Sequence, residues 1–267
     1  MIKGAWLKMF TVSLSLTLSV FILLVFLSIV TYPPIEELIN AVRSEEILFS
    51  VRLSLFTSTL STIMCVAIAI PAAYGLARYN FFGKSLANTI INVPMALPPL
   101  VAGVGLLIFL GLSPAGKCIT QISGIEFVFT PAGIIVAQFF MNSPYLIRIL
   151  RTTYESINPR YEHVAKTLGC TDLQAFLKVT LPMSKSGLLA GVVITWSKAI
   201  GEFGAALMIA GATRWKTEIL PTSVYLNMSC GKLDLAISAA SIMILISVIS
   251  LYIFEMYGSG KAVYQGC

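Results

Sequence analysis

Charge is what this chain of 267 residues lacks most. Asp, Glu, Lys and Arg make up 11% of it, against about 25% in soluble domains. Histidine occurs once, at His163. The five cysteines (Cys65, Cys118, Cys170, Cys230 and Cys267) are scattered, with no C-x-x-C pair. A zinc site needs about four clustered ligands, so no metal site is expected. An odd, dispersed cysteine set is not a disulfide framework either. The stretch YGSGKA, Tyr257 to Ala262, fails as a phosphate loop. Glu255 stands where the first glycine belongs, and Ala262 replaces the Ser or Thr that would hold magnesium. The chain is therefore expected to bind no cofactor and to hydrolyse no ATP itself. No Ser/His/Asp set or paired carboxylates argue for catalysis, and no basic patch interleaved with aromatics argues for a nucleic-acid partner. There is no fixed-period repeat and no low-complexity tract.

Apolar residues fill the space that charge leaves. They make up 57% of the chain, and mean hydropathy is +0.88. A bilayer span needs about 20 apolar residues, and six such runs can be read: about 9–31, 51–77, 94–112, 131–150, 187–211 and 235–257. The first follows Lys3 and Lys8 and ends in TYPP. It is too long for the apolar core of a signal peptide, about 7–15 residues, so it reads as a retained span. The expected fold class is all-α integral membrane, with 1–267 forming one six-helix transmembrane domain.

Basic residues divide unequally between the two sides. Lys3, Lys8, Arg78, Lys84, Arg148, Arg151, Arg160, Lys166, Lys178, Lys185 and Lys261 share one side. Arg43, Arg52, Lys117, Arg214, Lys216 and Lys232 share the other. The richer side is cytoplasmic by the positive-inside rule, which puts both termini there and explains the net charge of +6. Cys118 and Cys230 then both fall in outer loops, where a disulfide between them is an open question.

Local signals refine the spans. Thr130-Pro131 reads as an N-cap followed by proline at the first helical position. Pro144 should kink or interrupt the fourth span. Pro94, Pro98 and Pro99 crowd the start of the third and predict irregular backbone there. Such backbone is tolerated at membrane depth only against protein or a water-filled cavity, so the third helix either lines a pathway or is a kinked helix that merely packs.

One charged island interrupts the apolar chain, YEHVAKTLGCTDLQAFLKVTLP, from Tyr161 to Pro182. Asn158-Pro159 starts a helix, and Gly169 sits where a left-handed cap would end it. Tyr161, Val164, Ala165 and Leu168 recur at i, i+3, i+4 and i+7, one apolar face. Glu162 and Lys166 form an i, i+4 pair. Thr171 with Gln174 makes a capping box for a second stretch, and Pro182 stops or kinks it. At about ten residues the first helix is too short to span. Two roles fit: docking into a groove on a partner, or lying on the membrane surface.

The island resembles the cytoplasmic loop of permease subunits of ATP-binding-cassette importers, whose pattern is E-A-A-x-x-x-G, nine residues, I-x-L-P. His163, Val164, Ala165 and Gly169, then Val179 and Leu181-Pro182, match that spacing over 20 positions. His163 stands where the family has glutamate, so either Glu162, one place earlier, carries the acidic contact or none does. The resemblance implies that the loop, about 155–185, is a coupling helix docked on an ATPase subunit. Its docking set would be Tyr161, Glu162, His163, Val164, Ala165, Leu168 and Gly169. It further implies a homodimer of this chain, two ATP-binding-cassette ATPase subunits, an extracytoplasmic binding protein and residence in the cytoplasmic (inner) membrane.

The fifth span carries a second anomaly, Lys198 and Glu202, four residues apart inside apolar sequence. Ionisable residues there face a bundle interior or water. Four apart, they lie on one helix face and can pair, and Gly201 and Gly204 permit close helix approach. The face either lines a substrate pathway or holds a structural ion pair. The segment AIGEFGA, Ala199 to Ala205, resembles the GEFG segment of permeases for tetrahedral oxyanions, and TEILPTSVYLNMS, Thr217 to Ser229, is similar to the same group. The resemblance implies an importer of molybdate or tungstate, with sulfate as the alternative. A rival class is an ion-coupled secondary carrier, which Lys198 and Glu202 would also suit. The loop spacing and the absence of an internal repeat argue against it.

Overall fold

The computed structural model describes residues 2–258, with side chains described from 6 to 252. The YGSGKA stretch runs out of that range, and Cys267 lies outside it. Every regular element among the described residues is helical: α1 (Ile2–Thr31), α2 (Ile35–Arg43), α3 (Glu45–Arg78), α4 (Lys84–Ala96), α5 (Pro99–Leu107), α6 (Pro114–Ser123), α7 (Pro131–Ser156), α8 (Arg160–Thr167), α9 (Asp172–Ala175), α10 (Leu181–Met183), α11 (Lys185–Ile200), α12 (Gly204–Ala210), α13 (Leu220–Ser229) and α14 (Leu233–Gly258). π-Helical turns at Ile108–Leu112 and Phe176–Thr180 join α5 to α6 and α9 to α10. Four helices are long and apolar enough to cross a membrane, and six spans result if each of two bent pairs counts as one.

The parallel pair α3 and α7 is the spine of the molecule, with Cys65 beside Phe139, Tyr74 beside Tyr154 and Arg78 beside Ile157. With 34 residues, α3 is about 51 Å long at 1.5 Å per residue, well beyond a hydrocarbon core of about 30 Å. Its buried face is a hydroxyl stripe: Ser50, Ser54, Thr57, Ser58, Ser61 and Thr62. Small side chains let helices approach closely where lipid offers no hydrophobic drive for association. Most of the hydroxyls are satisfied within the helix, as in Ser58 to the Ser54 carbonyl at 2.6 Å and Thr62 to the Ser58 carbonyl at 2.7 Å, while the Ser54 hydroxyl accepts from the Leu220 N–H at 2.7 Å. Below the stripe, Cys65, Ala69, Ala73 and Leu76 pack on Leu146, Ile147, Leu150 and Tyr154 of α7. By contrast α1 is exposed along its length and reaches the rest of the chain mainly through α14.

Several expectations are corrected. The third span does not run 94–112. α4 ends at Ala96, α5 begins at Pro99, and the two axes differ by 111°, because consecutive prolines at 98 and 99 cannot continue a helix. The fifth span, 187–211, is interrupted at residues 201–203, and a 72° bend at Ser184 separates Asp172–Met183 from Lys185–Ile200. α7, by contrast, runs through Pro144 without a break. Thr130 occupies the N-cap position with Pro131 following, but its hydroxyl bonds back to the Glu126 carbonyl and caps nothing. Cys118 and Cys230 are free thiols: α6 packs on the π-helical turn before it and α13 on α14 and α3, so nothing brings the two together.

Candidate functional site

Two places hold the predicted site residues: the loop 157–184 and the junction of the helix breaks. In the loop, the Asn158 side chain accepts from the Arg160 N–H at 3.0 Å, which is N-cap chemistry. At the other end the Gly169 N–H reaches the Lys166 carbonyl at 3.0 Å and the Cys170 N–H reaches the Ala165 carbonyl at 3.1 Å. These two bonds are a Schellman motif, and Gly169 supplies the left-handed residue at φ +91°. Both halves of the Thr171–Gln174 capping box form. α8 is thus closed at both ends by its own sequence.

Its faces are sorted in an unexpected way. Tyr161, Val164 and Leu168 are 53%, 57% and 81% exposed. His163 and Gly169 are exposed and Ala165 half-buried. Glu162, alone of the set, is 4% exposed and turns into the body. Its carboxylate accepts from Tyr74 Oη at 2.9 Å, Arg78 Nε at 2.8 Å and Thr180 Oγ1 at 2.6 Å. Arg78 also donates to the Ile157 carbonyl at 3.0 Å, where α7 has just ended. The predicted Glu162–Lys166 pair is therefore not made: Glu162 belongs to Arg78, and Lys166 pairs with Asp172. Nor is the Glu162 carboxylate presented outward, so no acidic side chain of α8 faces a partner. Burial would push its pKa up, but the hydrogen bonds from Thr180, Tyr74 and Arg78, with the Arg78 charge, outweigh it and hold the carboxyl below the ordinary glutamate range. Phe176 packs on Tyr74 at 4.6 Å and on Tyr154 at 6.1 Å, which seats the π-helical turn on α3 and α7. Tyr74, Arg78 and Thr180 were not legible as site residues, since the contacts lie 88, 84 and 18 residues from Glu162 along the chain.

At the junction the α4–α5 break meets the α11–α12 break. A Cβ on Gly204 would lie 2.8 Å from Pro99 Cβ, and one on Gly103 would lie 2.7 Å from Ala205 Cα. Only glycine permits these contacts. Gly201 does not serve close approach: a Cβ there meets nothing nearer than the Lys198 carbonyl at 3.8 Å. It is the residue at which α11 ends. That ending also undoes the expected Lys198–Glu202 pair. Glu202 Oε1 instead accepts from the Ala205 N–H at 3.1 Å, at the start of α12, and Lys198 Nζ lies over the Tyr145 ring at 4.1 Å. Beside them Gln138 donates to the Ala199 carbonyl at 2.9 Å, while its own side-chain oxygen and the Thr195 hydroxyl are buried with no partner among the described residues.

At the far end of the molecule Arg214 pairs with Glu46 at 3.0 Å and donates to Asn227 Oδ1 at 3.3 Å. Glu218 is fully buried close by, and neither of its oxygens receives a hydrogen bond among the described residues. Burial pushes its carboxyl up and the neighbouring Glu46 adds to the rise, while the nearby Ser223 hydroxyl and the Arg214 charge offset only part of it.

Crossing helices broken where they meet, joined to a capped helix with an exposed apolar face, are compatible with the membrane subunit of a transporter. The sequence comparison gives the particular family. Residues 66–258 match the binding-protein-dependent transport system inner membrane component, and the chain belongs to that family. It is 33% identical over 223 residues, 84% of this chain and 80% of the other, to a probable molybdenum ABC transporter permease of Haloferax volcanii. It is 31% identical over 214 residues, 80% and 77% respectively, to the sulfate transport permease CysT of Salmonella typhimurium. A molybdenum permease, ModB of Haemophilus influenzae, is 34% identical over 177 residues, 66% and 77%. Among solved structures, a chain of a bacterial alginate ABC transporter superposes with a TM-score of 0.76 at 16% identity, covering 100% of this chain and 98% of that one. At that identity the likeness is one of fold.

Proposed function

We infer that this chain is the permease of an ATP-driven importer for a tetrahedral oxyanion, with molybdate or tungstate as the substrate and sulfate as the alternative. The observation that carries the transport role is α8: a helix capped at both ends, tied inward through Glu162, with Tyr161, Val164 and Leu168 left exposed on the other side. Exposed apolar anchors at i, i+3 and i+7 suit a helix laid in a groove. The groove belongs to an ATPase subunit on the cytoplasmic side, and ATP hydrolysis takes place there. Movement of α8 passes through Glu162 to Tyr74 and Arg78 of α3, one half of the most extensive helix pair in the molecule. Alternating access then follows from two states of the permease, each favoured by different ligands.

In this reading six spans cross the inner membrane with both termini cytoplasmic, and two copies pair around the pathway. An extracytoplasmic binding protein delivers the anion. Lys198 is exposed on the isolated chain. A cation at bilayer depth belongs against water or protein, so Lys198, with Glu202, lines the pathway at the glycine-packed junction. The substrate class rests on the molybdenum and sulfate permeases to which the chain is similar. Uptake of labelled molybdate by the complete transporter, challenged with excess sulfate, tests it. Uptake that survives sulfate supports molybdate or tungstate, uptake abolished by sulfate supports the alternative, and ATP-independent uptake that collapses with an uncoupler would contradict the importer reading.

A further inference from the structure

Between α4 and α7 lies a cavity of about 590 Å³, within the size range of small-molecule sites. One wall is the face of α4 that carries Asn88, Asn92 and Met95, and the other is the face of α7 that carries Arg148, Arg151 and Glu155. These are i, i+4, i+7 and i, i+3, i+7 sets, so each wall is a single helical stripe. The two arginines are differently employed. Arg151 is fixed, donating through Nε to Glu155 at 2.8 Å and through Nη1 to Asn88 Oδ1 at 2.8 Å. Arg148, one turn away, is exposed and makes no ion pair among the described residues. Glu155 offsets one of the two charges, which leaves the cavity with an excess of one positive charge. Met95 stands beside the break that separates α4 from α5, and Glu155 stands one residue before the end of α7, where the 157–184 loop begins. The cavity therefore lies between the helix-break junction and the loop.

We propose that this cavity is a binding site for a tetrahedral oxyanion, with Arg148 as the primary charged donor and Arg151 completing the donor set, while Asn92, whose Nδ2 donates to the Asn88 carbonyl at 2.6 Å, holds the opposite polar wall. A guanidinium presents a planar fork of donors that matches such an anion in bidentate fashion. Asn88 and Glu155 hold Arg151 in place before any ligand arrives, which reduces the entropy lost on binding. The same chemistry can be satisfied by a free oxyanion in transit or by the phosphate of a lipid headgroup. The first source rests on the transport reading above, and the second does not.

The test reconstitutes the full chain in nanodiscs of zwitterionic phosphatidylcholine and measures tungstate retained at equilibrium dialysis. The wild type is expected to bind saturably. Arg148→Gln should weaken binding at least tenfold, Arg148→Lys less, and the surface variant Lys178→Gln not at all. Asn92→Leu, which removes a polar group from the opposite wall, provides an independent variant should Arg148→Gln fail to fold. Repeating the measurement with phosphatidylglycerol separates the sources. Tungstate displaced by the anionic lipid, with lipid retained by wild type and lost from Arg148→Gln, assigns the site to a headgroup. Undisturbed tungstate assigns it to a free anion. If the wild type binds neither, or if Arg148→Gln and Asn92→Leu bind both as the wild type does, the site is overturned. Labelled molybdate uptake by the wild-type transporter is measured separately. Uptake without cavity binding rejects the cavity alone, and cavity binding without uptake rejects the transport reading alone.

Discussion

Two buried glutamates at opposite ends of the molecule have opposite surroundings. Glu162 receives hydrogen bonds from Tyr74, Arg78 and Thr180, and its pKa is held low. Neither Glu218 oxygen receives a well-formed hydrogen bond among the described residues, the nearby Ser223 hydroxyl gives it only partial support, Arg214 is engaged by Glu46 and Asn227, and its pKa is raised. Desolvation acts on both, and the donors decide the outcome. The first is built as a fixed charge that joins α8 to α3. The second is a carboxyl that the folded chain prefers to keep protonated. The end to which the proposed function assigns the transmission of motion carries the satisfied network.

Removing the charge from the satisfied end should have the largest effect. Glu162→Ala strands Arg78, whose side chain is only 9% exposed, and breaking a buried pair from one side costs about 3–5 kcal/mol. The thermal midpoint of the purified chain should fall clearly, and ATPase coupling with it. The pH dependence has a definite sign. Because the folded pKa of Glu162 is depressed, its contribution is present above the unfolded value, about 4.3, and is lost as pH falls through the folded one. A Glu162→Gln chain that starts from wild-type stability and loses as much of it on acidification as the wild type does would contradict the account.

Gly169→Ala comes next. Nothing would touch the new Cβ, so only the left-handed backbone resists it, at about 1–2 kcal/mol. Fraying of α8, read by amide exchange at Leu168 to Cys170, should exceed any global loss.

The smallest effect belongs to the unsatisfied end and has the reverse sign. Glu218 has a raised folded pKa, so its contribution is full below the unfolded value and is lost as pH rises through the folded value. Glu218→Gln should therefore flatten the alkaline side of the stability profile and raise the midpoint there slightly. A lowered midpoint at every pH would show that Glu218 is paired after all.

The same contrast governs what could be read from sequence. Asn158, Gly169, Thr171 and Gln174 act on backbone groups two to four residues away, so their roles were legible in the string itself. Pro98 and Pro99 likewise announced a break, though not its 111° angle. The partners of Glu162 come from α3 and from the π-helical turn, and no local pattern encodes them. The Lys198–Glu202 pair was misread because it assumed that α11 continues past Ile200, and tertiary packing of Gly204 on Pro99 decides otherwise. The short helices α2, α4, α6 and α13 escaped because hydropathy windows respond to span length rather than to helicity.

The central claim is that α8 has two faces with separate duties, Glu162 inward for transmission and Leu168 outward for docking. Co-purification of the cognate ATPase with Leu168→Asp, alongside the thermal midpoint of the same variant, tests it most directly. Leu168 is 81% exposed, so the account predicts an unchanged midpoint and a lost ATPase. An ATPase retained at wild-type stoichiometry with full coupled hydrolysis would contradict it.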